Sequence, residues 1–423
     1  MHRTPSLSTF TAISLFLATA LSLGAFEAPP PSPSPSPSPT PKPIVAAPTP
    51  TPIPTKFSTD VEAIISALES GVPLTSAQRQ IIAGLSQSIL QDINARLFRM
   101  RAGVTLRDDG TLGSGGPNGT GRNGKEAKGA PEVPFRHWDI FTAGDYGNFD
   151  LNDEGRHPGF ESNTWVGTLG AEYRLDEHYA FGLAGSWVSS GADLSQKIGH
   201  INTDGVAVSA YAAAAWENAY VDLLYSFGSL QQTSRRNTFT GNTARGETNA
   251  ITNAIQFNTG YTFKMGGLRT GPLASLNWAH GDIDGYNETG GGNAALSIPS
   301  GHVDSLISQL GWQTSYVAPT GFGLLIPQIR ASWDHEYLNT DNEVSATLLQ
   351  TPFSSVTGTN VNHFGKYTAT GRAAQPGSDY LNLGAGISAR FGERFSVTLD
   401  YQTHLFQQRT SAQFASIKLD YAF

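Results

Sequence analysis

From about residue 135 to the C-terminus, apolar and polar residues alternate with a period of two. In the last segment Ala415, Ile417, Leu419, Tyr421 and Phe423 share one face, and Ser416, Lys418, Asp420 and Ala422 share the other. Phe395, Val397, Leu399, Tyr401, Thr403 and Leu405 alternate in the same way with Ser396, Thr398, Asp400, Gln402 and His404. Ile329, Ala331 and Trp333 alternate with Gln328, Arg330, Ser332 and Asp334. This is the period of a β-strand with one face in an apolar medium and one in a polar medium. A soluble sandwich puts the polar face outside, whereas a membrane barrel turns it into the lumen. No interior apolar run reaches the ~18 residues of a membrane helix, but a barrel hides its apolar face in the alternation.

Connection lengths favour the barrel. About twelve strand-like segments are centred near Phe141, Leu169, Leu183, Ser209, Leu223, Ile255, Ser275, Gln309, Ile329, Gly384, Leu399 and Ile417. Tight turns at Asp176-Glu177, Glu217-Asn218, Met265-Gly266-Gly267, Pro319-Thr320-Gly321 and Gly392-Glu393 fall at one end. Long polar stretches at Asp150–Glu161, Leu194–Thr203, Gln231–Glu247, Asp284–Gly301 and Asn339–Gly377 fall at the other. Outer-membrane barrels sort their loops in this way. Aromatics such as Trp138, Trp165, Tyr173, Trp216, Trp312 and Trp333 suit interface girdles. Pro327 removes a ladder donor and marks a bulge or a strand end.

The segments upstream differ in kind. Residues 1–25 have a basic start and the apolar run FTAISLFLATALSL, which reads as a secretory signal peptide. Residues 26–56 hold 13 of the 25 prolines and read as a disordered, extended spacer. Residues 57–102 are helical in pattern. Thr59-x-x-Glu62 opens one helix that Gly71 and Pro73 end, and Thr75-x-x-Gln78 opens a second that Gly103 stops. The second carries an apolar stripe, Ile82, Leu85, Ile89, Ile93, Leu97 and Met100, with Arg96, Arg99 and Arg101 in its last turns, where cations suit the helix dipole. At ~1.5 Å per residue it is long enough, about 42 Å, to thread a membrane barrel. Its apolar stripe slightly favours a hairpin lying outside, because a lumen is normally polar. Residues 103–134 form a glycine-rich linker, and its Gly119-x-Gly121-x-x-Gly124 lacks the strand and helix that a dinucleotide fingerprint needs.

The stretch Trp138–Phe423 resembles the autotransporter β-domain, the translocator of type V secretion. The resemblance rests on SAYAAAAWENAYVDLLYSFG (209–228), LIPQIRASWDHEY (325–337) and the terminal IKLDYAF (417–423). LTSAQRQIIAGLSQSILQDINARLFRMRAG (74–103) is similar to the segment that runs through the pore in that family. The resemblance implies an all-β fold, a twelve-stranded antiparallel transmembrane β-barrel at residues 135–423, in the outer membrane of a Gram-negative-type bacterium. It implies a translocator or anchor that exports or anchors its own N-terminal segment. It implies barrel-assembly machinery reading Tyr421 and Phe423, entry through the Sec translocon, and outer-membrane lipid around a monomer. The alternative is a porin-like or structural barrel tethered by the proline-rich spacer. Unlike typical members, the chain has only about residues 26–134 for a passenger, too little for a folded domain. Asp92-Ile93-Asn94 occupies the region where some members cleave themselves, without their paired asparagines.

Other chemistry is sparse. With no cysteine there is no disulfide or thiolate site. An acidic balance, with a formal net charge of -8, gives no basic face for nucleic acid. HExxH and GxSxG are absent, and Asp334 and His335 point to opposite faces of one strand, so no enzyme, metal or cofactor is expected. Arg330, Asp334, Glu336, Arg390, Asp400, His404, Lys418 and Asp420 are expected to share the lumen, as a charged wall that grips the helix, as a self-neutralising lattice, or as both.

Overall fold

A computed structural model describes residues 55–102 and 137–422, apart from 155–157, 177, 217, 239–240, 339–342, 350–366, 373–374 and 393. The signal peptide, the proline-rich spacer, the glycine-rich linker and Phe423 lie outside the described residues.

Among the described residues, twelve long antiparallel strands close on themselves. They are β1 (Trp138–Leu151), β2 (Phe160–Arg174), β3 (Tyr179–Leu194), β4 (Gly199–Trp216), β5 (Ala219–Asn237) and β6 (Thr243–Tyr261). They continue as β7 (Leu268–Ile283), β8 (Gly301–Tyr316), β9 (Gly323–Glu336), β10 (Asp379–Phe391), β11 (Phe395–Leu405) and β12 (Thr410–Ala422). Each strand pairs with its sequence neighbours, and β12 closes on β1 with Lys418 opposite Ala143 and Tyr421 opposite Ile140. Closure leaves no unpaired edge in the apolar medium, which is what a membrane demands of strands. Every expected strand centre falls inside one of these strands.

The alternation has its expected sense. Leu169, Leu183, Val208, Leu223, Ile329, Leu399 and Ile417 are exposed on the outer wall, although large apolar side chains normally avoid water. Their strand neighbours point inward and are buried: Thr168, Ser209, Asp222, Gln328, Asp400 and Lys418. Aromatics form a ring at the turn end, where Trp138 packs on Tyr173 at 4.9 Å and Phe263 on Trp312 at 6.5 Å. At the other end Tyr146 packs on Trp165 at 4.8 Å. Among the described residues no helix is long and apolar enough to cross a membrane.

Two of the five stretches expected to be long loops are mostly strand. β3 runs to Leu194 and β4 starts at Gly199, while β5 runs to Asn237 and β6 starts at Thr243. There the hairpins rise past the apolar band, so the outer face no longer alternates and Gln231, Thr233 and Arg235 look like loop residues. The Asn339–Gly377 stretch, expected to be exposed surface, also contributes structure. Residues Glu343–Leu348 and Thr368–Arg372 join Tyr286–Asn287 and Leu296–Ile298 in a four-stranded cap sheet at the loop end. Val344, Ala346 and Leu348 of that sheet are buried. Pro327 lies within β9, where the ladder to β8 breaks: Gln328 pairs with Ser315, and pairing resumes only at Leu325 with Ala318. The missing donor falls in that break, so it leaves no acceptor stranded.

The helical segment is one helix, α1 (Thr55–Ala102), of 48 residues, with Pro73 inside it. This corrects the expectation of two helices. Thr75 does not cap: its hydroxyl donates to the Gly71 carbonyl at 3.0 Å, one turn back. Gly71 does not stop the helix either. A Cβ there would come within 2.5 Å of Leu296 Cδ1 and 2.8 Å of Ala346 Cβ, so the glycine serves the close approach of the cap sheet.

Candidate functional site: the helix in the barrel lumen

α1 runs through the barrel, and the expected preference for a hairpin outside is overturned. Side chains and one backbone carbonyl of α1 bond to strands on all sides of the lumen. Asp92 accepts from Thr168 of β2, Gln78 O accepts from Gln232 of β5, Gln87 donates to Ser305 of β8, and Gln91 donates to Gln402 of β11. The physical reason is that the lumen is not uniformly polar. Leu74, Ile81, Ile82, Leu85 and Ile89 pack against Val166, Val188, Ile201 and Leu230, which point inward from β2 to β5. Further along, Ile93 and Leu97 meet Phe141, Ala184 and Leu224. Full burial of one such side chain contributes roughly 1.5–3 kcal/mol.

The direction of the helix follows from its ends. Ala67 lies in the cap at the loop end, against Leu296, Ala346 and Leu348. Arg96 lies at the turn end, near the start of β1 and the end of β12. The N-terminal end of α1 therefore leaves through the loop face, and its C-terminal end faces the tight turns.

At the turn end Arg96 is fully buried and held by three carboxylates. Its guanidinium bonds to Asp420, to Asp139 at 3.0 Å and lies 3.5 Å from Glu172. It also sits over the Phe141 ring at 5.1 Å. Arg174 bonds to Asp139 and to Glu172 at 3.0 Å, and Tyr211 donates to Glu172 at 2.9 Å. Ser396 donates to Asp420 at 2.9 Å. One turn further into the lumen, Lys418 pairs with Asp92 of α1 at 3.1 Å and with Asp145 at 3.7 Å. The planar fork of an arginine suits such a site, because both terminal nitrogens meet carboxylates and the desolvated charges are compensated in place.

A second lock closes the loop end. Arg236 of β5 is fully buried; it forks onto Glu288, donates to the Ala294 carbonyl at 2.6 Å, and donates to Ser70 of α1 at 2.9 Å. Glu288 also accepts from the Leu296 amide at 2.9 Å, which ties the cap sheet to the same arginine. Burial pushes the Tyr286 phenol of the cap above its ordinary pKa.

The residues singled out from sequence divide clearly. Asp420 and Lys418 grip α1, and Arg96 is their helix partner or its neighbour. Arg330 instead pairs with Asp400 of the wall at 2.6 Å, while also lying over the Phe98 ring of α1. Asp334 accepts from Gln309 at 2.7 Å and Ser332 at 2.6 Å, and Glu336 accepts from the Leu306 amide at 2.9 Å. His404 stacks on Tyr380 at 4.4 Å, and Arg390 is buried on β10. The wall thus grips the helix through Asp420 and Lys418, and Arg330 and Asp400 neutralise each other, while Asp334 and Glu336 are held by neutral donors. Tyr421 points outward from β12. The side chains of Arg99 and Arg101 lie outside the described residues. Sequence reasoning missed Asp139, Glu172, Arg174 and Arg236. Their signal was present: Asp139 keeps the inward parity of Phe141, and Glu172 and Arg174 share the inward parity of Thr168. Among the described residues no group of three or more His, Asp or Glu side chains is arranged to hold a metal ion.

A closed twelve-stranded barrel, apolar outside and threaded by a helix from its own chain, defines an outer-membrane translocator barrel. The autotransporter beta-domain family model matches residues 140–402, and the chain belongs to that family. It is similar in fold to the translocator domain of autotransporter NalP from Neisseria meningitidis, with a TM-score of 0.53 and 12% identity over 69% of this chain and 90% of that one. It also matches the beta domain of the Bordetella autotransporter BrkA, with a TM-score of 0.49 and 13% identity over 68% of this chain and 100% of that one. The transport unit of autotransporter AIDA-I from Escherichia coli matches at a TM-score of 0.41 and 12% identity over 70% of this chain and 93% of that one. No curated protein matches the sequence. The barrel is an outer-membrane translocator and anchor for the chain's own N-terminal segment.

Proposed function

We propose that α1 is the last part of the chain to enter the pore and that it stays there, as plug and as anchor for the short segment before it. The observation that carries this is the pair of buried locks, Arg96 with Asp139, Glu172 and Asp420 at the turn end, and Arg236 with Ser70 and Glu288 at the loop end. A helix held by two desolvated ion clusters and a continuous apolar seam is costly to withdraw. The residues before Thr55 then emerge on the outer surface as a tethered tail. In this reading the barrel carries and anchors chain and performs no catalysis, and Asp334 and His335 on opposite faces offer no dyad. Delivery by the Sec translocon, insertion by barrel-assembly machinery that reads Tyr421 and Phe423, and a monomer surrounded by lipid complete the proposal.

The absence of cysteine makes the test direct. A single cysteine placed at Lys56 is expected to react with a membrane-impermeant maleimide in intact cells. Labelling that appears only after lysis would overturn surface display of the tail.

A further inference from the structure

The helix is seated off-centre. Its apolar seam lies mainly against β2 to β5, while the opposite face, at Gln80, Gly84, Gln87, Ser88 and Gln91, borders a space of about 250 Å³. That space follows α1 from Gln80 to Phe98. At ~1.5 Å per residue this is about 27 Å, close to the ~25 Å apolar band of an outer-membrane barrel. It is therefore drawn out along the lumen rather than gathered into a pocket.

Its unpartnered wall atoms are uncharged. The wall atoms that meet no protein partner are amide groups: Gln256 Oε1, Asn258 Nδ2, Asn277 Oδ1, Gln313 Oε1 and Asn382 Oδ1. All but Asn277 belong to buried residues. Of the charged groups along the space, two sit in ion pairs or against a histidine, and Glu336 meets only neutral donors. Arg330 is paired with Asp400, Glu336 accepts from Ser305 and the Leu306 amide, and Asp304 is bonded to His280.

Gly84 supplies a second observation. Glycine is among the poorest residues for a helix interior, because it surrenders the most backbone freedom. At Gly71 close packing explains the choice, but at Gly84 an added Cβ would meet nothing within 4 Å. The glycine widens the space where α1 would otherwise project a side chain into it.

We propose that the seated helix leaves beside it an amide-lined passage for water and small uncharged polyols of glycerol size. Amides donate and accept, so they replace the hydrogen bonds a hydroxyl leaves in water. This rests on α1 being seated in the lumen.

The test uses the full chain in liposomes, with glycerol as the probe in stopped-flow light scattering and sodium chloride conductance alongside. The wild-type protein is expected to admit glycerol several-fold faster than Gly84→Trp, which fills the passage, while ionic conductance stays low in both. Gly84→Ala adds one methyl to open space and is expected to keep the wild-type rate. Equal glycerol rates for wild type, Gly84→Trp and protein-free liposomes would overturn the passage, as would loss of flux in Gly84→Ala. High ionic conductance in the wild type would instead overturn the seated helix, so the two failures are distinguishable.

Discussion

At the scale of single residues, Arg96 decides most. A buried guanidinium is stable only while its carboxylates are in place, and three of them, Asp420, Asp139 and Glu172, come from the neighbouring strands β12, β1 and β2. Removing one side of a buried ion cluster strands the other and costs about 3–5 kcal/mol. Arg96→Met is therefore expected to lower the free energy for release of α1 by that order, read as a lower denaturant midpoint, and to raise ion leakage through the barrel. An unchanged midpoint would mean that the cluster does not hold the helix. The position of Arg96 in the last turns of a helix was legible from the sequence. Its partners were not, because inward parity within a strand says which way a side chain points but not which stretch of the wall the helix meets.

At the scale of elements, α1 shows where local rules give way. Gly71, Pro73 and Thr75 together read as the end of one helix and the start of another. The structure carries the helix through, because burial under the cap sheet outweighs the donor lost at Pro73. The cap itself escaped the sequence, since its strands are short and lie in polar loops, although Val344, Ala346 and Leu348 carry the alternation. Gly71→Val is expected to push Leu296 and Ala346 away and to speed proteolysis within the Glu343–Leu348 strand, with the heat resistance of the barrel unchanged. Arg236→Ala removes the cation from buried Glu288 and is expected to loosen the same strand as well as the hold on Ser70. Proteolysis at the wild-type rate in both variants would contradict a cap that clamps the helix.

At the scale of the whole molecule, the alternation from residue 135 onward was enough for the closed barrel, its strand number and its polar lumen. The loop asymmetry was legible too, blurred where strands outgrow the apolar band at β3–β4 and β5–β6. The contents of the lumen were harder to read. A polar lumen argued against an apolar helix, yet Val188, Ile201 and Leu230 make an apolar strip on the inner wall that fits the stripe of α1. Both patterns were in the sequence, and their complementarity appears only once the strands are placed in a ring. The most direct measurement uses the cysteine-free background: one spin label at Ser88 of α1, paired in turn with labels at the outward positions Leu169, Leu223, Ile329 and Leu399, with distances read by pulsed electron resonance in the full chain. A helix inside the lumen predicts four distances that are each shorter than the Leu169–Ile329 and Leu223–Leu399 spans across the barrel. One short distance with the opposite ones longer than those spans would place the helix outside and contradict the account.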